Sequence, residues 1–120
     1  MKVLVVDDDP DLRRMLSLVL ANAGIDAHAA GDGIEAVSRA AELHPDLVLL
    51  DSVMPDLGGM RALPDIRRVS PESIVVLYTG DLLLGRRLTG HPAGPDAYIP
   101  KLVAPEALVE ELRRIWDRRR

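Results

Sequence analysis

Along this chain, short aliphatic runs of strand length alternate with stretches in which apolar positions recur at helical spacing. Lys2–Val6 is a Val-rich run that stops at Asp7-Asp8-Asp9-Pro10, so it reads as a first strand with acids at its carboxyl end. Pro10 suits the first helical position and Asp9 the N-cap, and the spacing predicts a helix with Leu12, Met15, Leu16 and Val19 inward, ending by Gly24. Asp26–Ala30 is weak by strand propensity. It is placed as strand 2 because Asp32-Gly33-Ile34-Glu35 then opens a second helix like a capping box, with Ile34, Val37 and Ala41 inward and Pro45 after its end. Leu47-Val48-Leu49-Leu50 is continuous enough for a parallel strand buried on both faces. It breaks off at Asp51, and Pro55 with Gly58-Gly59 forces a loop.

The second half repeats the alternation with more interruptions. Met60, Leu63 and Ile66 suggest a third helix, in which Pro64 implies a kink or a late start. Residues 73–78 form the fourth strand, followed by Thr79-Gly80-Asp81. Gly85, Gly90, Pro92, Gly94 and Pro95 then leave room for only a short or broken fourth helix, begun by Leu82-Leu83-Leu84. Ala97-Tyr98-Ile99-Pro100 is a brief fifth strand, placed at a sheet edge because proline cannot donate to a ladder. Lys101 follows at once, and Pro105-Glu106 starts a last helix with Leu108, Leu112 and Ile115 inward. Strands alternating with helices in this way define an α/β fold with a parallel sheet.

At 120 residues the chain is expected to be a single domain, with 117–120 read as where a linker or tail would begin. Hydrophobic residues make up 48% of it with no Phe, one Trp and two Tyr, so the core must be aliphatic. The absence of cysteine removes disulfides, thiolate metal sites and a thiol nucleophile. No apolar run approaches membrane-spanning length, and MKVLVV meets Asp7-Asp8-Asp9 too soon for a signal peptide, so the expected location is cytoplasmic without membrane association. A net charge of -4 argues against direct nucleic-acid binding; the basic cluster Arg118-Arg119-Arg120 suits a helix C-terminus.

Strands of a parallel sheet point one way, so Asp7, Asp8, Asp51, Thr79 and Lys101 are expected at one rim, where α/β sheets bind ligands. Crowded carboxylates repel unless a cation shares the site, and Mg²⁺, which prefers oxygen ligands and keeps several waters, fits this donor set. No histidine is placed for zinc; His28, His44 and His91 are read as surface residues. Asp9 and Asp11 are read as helix N-terminal acids and Asp56 as a turn residue. A carboxylate beside a cation, a hydroxyl and an ammonium is equipment for phosphoryl transfer, with Asp51 as nucleophile, Lys101 offsetting charge and Thr79 bonding a phosphoryl oxygen.

With these residues in order, the chain resembles the receiver domain of a two-component response regulator over essentially its whole length. The resemblance implies a flavodoxin-like (βα)5 three-layer sandwich with strand order 2-1-3-4-5. It implies that Asp7 and Asp8 hold Mg²⁺ together with Asp51 and the Val53 backbone carbonyl, and that Asp51, before Val53-Met54-Pro55, is phosphorylated. Thr79 and Lys101 match the hydroxyl and lysine after strands 4 and 5, and Tyr98 matches an aromatic that turns inward with Thr79 to change the helix 4, strand 5 and helix 5 face. Such a domain is not an enzyme in the ordinary sense, because it promotes only its own phosphorylation and dephosphorylation. The partners implied are a sensor histidine kinase or phosphotransfer protein and an effector or output domain, with room for a phosphorylation-dependent dimer. The chain departs from the family in having Leu102 where a proline usually follows the lysine, and in Pro64 and the Gly/Pro-rich fourth helix region. The competing readings are a receiver-like interaction module that works without phosphorylation, and a phosphatase of the haloacid dehalogenase type. The latter resembles D-x-D at its nucleophile, and Asp51-Ser52-Val53 lacks the second acid.

Overall fold

A computed structural model of the chain describes residues 1–51, 58–89 and 92–119, with the backbone alone for 58–60, 82 and 84. Strands β1 (Lys2–Val6), β2 (Asp26–Ala30), β3 (Leu47–Asp51), β4 (Ile74–Thr79) and β5 (Ala97–Pro100) alternate with helices α1 (Pro10–Asn22), α2 (Gly33–Leu43), α3 (Gly58–Val69), α4 (Leu82–Thr89) and α5 (Pro105–Arg119). The sheet is parallel throughout in the order β2-β1-β3-β4-β5, the flavodoxin-like topology that the resemblance implies.

Because side chains alternate along a strand, β1, β3 and β4 each feed two cores. Val3, Val5, Leu47, Leu49, Val76, Tyr78 and Ile99 pack under Leu16 and Leu20 of α1 and Leu108 and Leu112 of α5. Leu4, Val6, Val48, Leu50 and Val75 pack under Ala36 and Ala40 of α2 and Ala62, Leu63 and Ile66 of α3. Every residue of β3 and β4 is buried, as expected of central strands covered on both faces.

Helix starts follow the local signals. The Asp9 side chain accepts from the backbone N–H groups of Asp11 and Leu12 at the start of α1, and Asp32 Oδ1 accepts from Glu35 N–H at 2.7 Å at the start of α2. Glu35 Oε1 reaches back to Gly31 N–H at 3.0 Å, one residue before the cap, which is the reciprocal logic of a capping box shifted by one position. Gly24, at φ +82, turns the chain from α1 into β2 in a conformation that side-chain-bearing residues rarely adopt.

Four expectations need correction. On α2, Ile34 is 70% exposed and Ala41 is also outside, while Gly33, Ala36 and Ala40 face the sheet. Val37 packs against the core as expected, whereas a reading weighted by side-chain size misplaced Ile34 and Ala41. Met15 of α1 is 42% exposed, and Leu20, one turn beyond Leu16, takes the buried place. Of the two readings of Pro64, the late start is overturned, because α3 begins at Gly58 and carries the proline on its exposed side. His28 is not a plain surface residue: it is half-buried, with Nε2 3.0 Å from Asp26 Oδ1. His44 is exposed and holds a left-handed C-cap at φ 46, while His91 and Asp56 lie outside the described residues. The short α4 and the edge position of β5, with its Pro100, agree with the sequence reading.

Candidate functional site

The carboxyl ends of β1, β3, β4 and β5 meet at one rim. Asp7 is the first residue after β1, and its N–H still donates to Ala30 O at 3.1 Å, so the β1–β2 ladder fixes its backbone. Its Oδ1 accepts the Asp9 N–H at 2.9 Å. Arg13 clamps the same residue from α1, with Nη1 donating to the Asp7 carbonyl at 2.7 Å. Side-chain oxygens of Asp7, Asp8 and Asp51 lie within 4.8 Å of one another, Asp7 and Asp51 being buried and Asp8 exposed. The Lys101 ammonium completes the group by donating to Asp51 Oδ1 at 3.0 Å.

These contacts set the electrostatics. Burial raises the Asp7 pKa above the ordinary 3.8; the Asp9 N–H bond opposes this, Asp51 and Asp8 add to it, and Lys101 opposes it. Asp7 Oδ2 is buried and, among the described residues, has no hydrogen-bond partner. An unpartnered buried carboxylate oxygen on a residue clustered with two further carboxylates suits a hard divalent cation held by oxygen donors.

Thr79 closes β4 and is 1% exposed. Its hydroxyl accepts the Asp81 N–H at 3.0 Å and its carbonyl accepts the Lys101 N–H at 2.8 Å, so hydroxyl and lysine are tied to one backbone ladder. Tyr98, half-buried on β5, stands apart from the carboxylates, with its ring over Gly85 of α4: a Cβ there would lie 2.6 Å from the ring's Cδ2. Val53 lies outside the described residues.

Reading the sequence missed two residues. One is Arg13, for which its position one turn after the Asp9 cap was the available signal. The other is Tyr78, which pairs with Asp51 in the β3–β4 register and whose ring lies 5.6 Å from Lys101 Nζ. Burial raises the Tyr78 pKa; Lys101 opposes the shift, while Asp7 and Asp51 add to it, so this phenol lies in the field of the site.

Comparison with known proteins gives the family to which this α/β sheet, with acids, a hydroxyl and a lysine at its carboxyl rim, belongs. The family described as response regulator receiver domain matches residues 3–113, and the chain belongs to it. It is 40% identical over 116 residues to the DNA-binding response regulator MtrA of Mycolicibacterium smegmatis, covering 93% of this chain and 49% of that protein. It is 38% identical over 116 residues to the probable transcriptional regulatory protein TcrX of Mycobacterium tuberculosis, covering 97% of this chain and 50% of that one. The chain thus spans about half the length of the curated relatives it matches. Among solved structures, the Vibrio cholerae chemotaxis protein CheY4 superposes with a TM-score of 0.86 at 28% identity, covering 95% of this chain and 97% of that one. A CheY-like receiver domain protein of Methanospirillum hungatei superposes at 0.87 and 27% identity, covering 98% and 94%. Among the described residues no helix is long and apolar enough to cross a membrane.

Proposed function

We propose that Asp51 accepts a phosphoryl group from a histidine kinase or phosphotransfer protein, and that the phosphorylated domain governs a downstream partner. The observation that carries this reading is the buried Asp51 carboxylate, joined to Lys101 at 3.0 Å and crowded by Asp7 and Asp8. An Asp51 oxygen attacks phosphorus as the bond to the donor's imidazole nitrogen breaks, giving an acyl phosphate. Lys101 moves its charge from the carboxylate to the incoming phosphoryl oxygens, and the Thr79 hydroxyl turns from the Asp81 amide to donate to one of them. Asp7, Asp8 and Asp51, with the Val53 carbonyl, are the residues that would hold Mg²⁺. Bound there, Mg²⁺ supplies charge neutralisation for the phosphoryl oxygens.

Movement of Thr79 bears on Tyr98, two residues before the Pro100 that pairs with Thr79, and so on the face formed by α4, β5 and α5. MtrA's description as a DNA-binding response regulator of about twice this length supports an output module as the partner. An interaction module independent of phosphorylation would have no need for these groups to converge. Intact mass after incubation with acetyl phosphate and Mg²⁺ tests the reading. Wild type should gain one phosphoryl group, Asp51→Asn none, and an unmodified wild type would refute it.

A further inference from the structure

We propose that Tyr78 is a positioning residue for Lys101, its ring serving as the platform that keeps the ammonium aimed into the phosphoryl site. The inference rests on the reading of Asp51 as phosphoacceptor and adds a residue to that machinery. In register, Asp51, Tyr78 and Ile99 stand side by side across β3, β4 and β5, so their side chains leave the same face of the sheet. Lys101 is two residues beyond Ile99, and its N–H continues the ladder to Thr79 O at 2.8 Å, which sends its side chain over that face.

Lysine carries its charge on a flexible four-carbon stem, and a single hydrogen bond leaves such a stem several ways to reach the same acceptor. Among the described residues, the hydrogen bond of Lys101 Nζ is to Asp51 Oδ1 at 3.0 Å, and its ring contact is Tyr78 at 5.6 Å from the centroid. That distance is within the range in which the ring quadrupole attracts a cation. The ring itself is only 6% exposed and is gripped by the aliphatic core beneath α1 and α5, so it is a fixed surface. When Asp51 is phosphorylated, the carboxylate loses much of its hold on the amine, while the Tyr78 ring, packed in the core, remains a fixed surface beside the lysine stem. Tyr78 would therefore matter most in the state that the kinase creates.

The test compares Tyr78→Phe, which keeps the ring, with Tyr78→Leu, which keeps an apolar filling. Proton NMR of the metal-free protein reads placement directly, because a methylene beside an aromatic face is shifted upfield by the ring current. The Lys101 ε-protons, assigned by their loss in Lys101→Met, should be shifted in wild type and Tyr78→Phe and unshifted in Tyr78→Leu. The initial rate of phosphorylation by acetyl phosphate should match wild type in Tyr78→Phe and fall about three- to tenfold in Tyr78→Leu. Urea midpoints and amide dispersion establish that each variant is folded, and Tyr78→Met replaces Tyr78→Leu should the latter fail to fold. Unshifted ε-protons in wild type, or a leucine variant that loses the shift yet reacts at the wild-type rate, would overturn the proposal. A wild type with shifted ε-protons that takes up no phosphoryl group would instead overturn the phosphoacceptor reading, leaving the placement of Lys101 on Tyr78 intact.

Discussion

Gly85→Ala isolates the contact on which the face around Tyr98 depends. Gly85 lies within α4, where its N–H donates to Asp81 O at 3.0 Å, and alanine in a helix is ordinarily better than glycine by about 1 kcal/mol. Here the added Cβ would lie 2.6, 2.8 and 3.2 Å from Cδ2, Cγ and Cε2 of the Tyr98 ring, so the gain meets a clash with a planar side chain on a neighbouring element. Overpacking of this kind costs about 1–3 kcal/mol, leaving the variant between roughly neutral and about 2 kcal/mol less stable than wild type. Removing the ring frees the space, so in a Tyr98→Ala background the same substitution should stabilise by about 1 kcal/mol. Urea unfolding of the four proteins in this double-mutant cycle measures the coupling, which should be about 1–3 kcal/mol. A Gly85→Ala protein more stable than wild type by the full helical gain, with no coupling to Tyr98, would refute the packing of the ring on the helix.

In the metal-free domain, Asp7→Asn should raise the melting temperature at pH 7. Burial, with the nearby carboxylates, lifts the folded pKa of Asp7 above 3.8, so its contribution to stability is most favourable below 3.8 and is lost as pH rises through the folded value. The advantage of Asn should shrink as pH falls toward 3.8, and Mg²⁺ at ten times its dissociation constant should stabilise wild type by about 1.4 kcal/mol and the variant less; a variant less stable than metal-free wild type at pH 7 would contradict this. Asp32→Ala, which removes the acceptor for the Glu35 N–H at the start of α2, should cost about 1 kcal/mol in urea unfolding, and an unchanged midpoint would count against the cap.

Element order and site placement were legible because they rest on local signals. Apolar runs ending at Asp7, Asp51 and Thr79, and proline or a capping acid before α1, α2 and α5, each speak within a few residues. What was not legible depends on which side chain a tertiary neighbour admits. Ile34 reads as core by size, yet the close approach of α2 to the sheet admits Ala36 and Ala40 instead. Tyr78 reads as an ordinary strand residue, and only the cross-strand register sets it beside Asp51 and under Lys101. Arg13 likewise gains its role from the Asp7 carbonyl, which the turn after β1 brings within 2.7 Å.

Groups from four separate strand ends should act as one phosphoryl-accepting pocket, and amide NMR during titration with beryllofluoride and Mg²⁺ measures this most directly. Saturable shifts focused on residues 7, 8, 51, 79 and 101 are expected, and they should be abolished in Asp51→Asn. Shifts that leave Lys101 or the acidic pair untouched while others saturate, or a response that survives in Asp51→Asn, would contradict it.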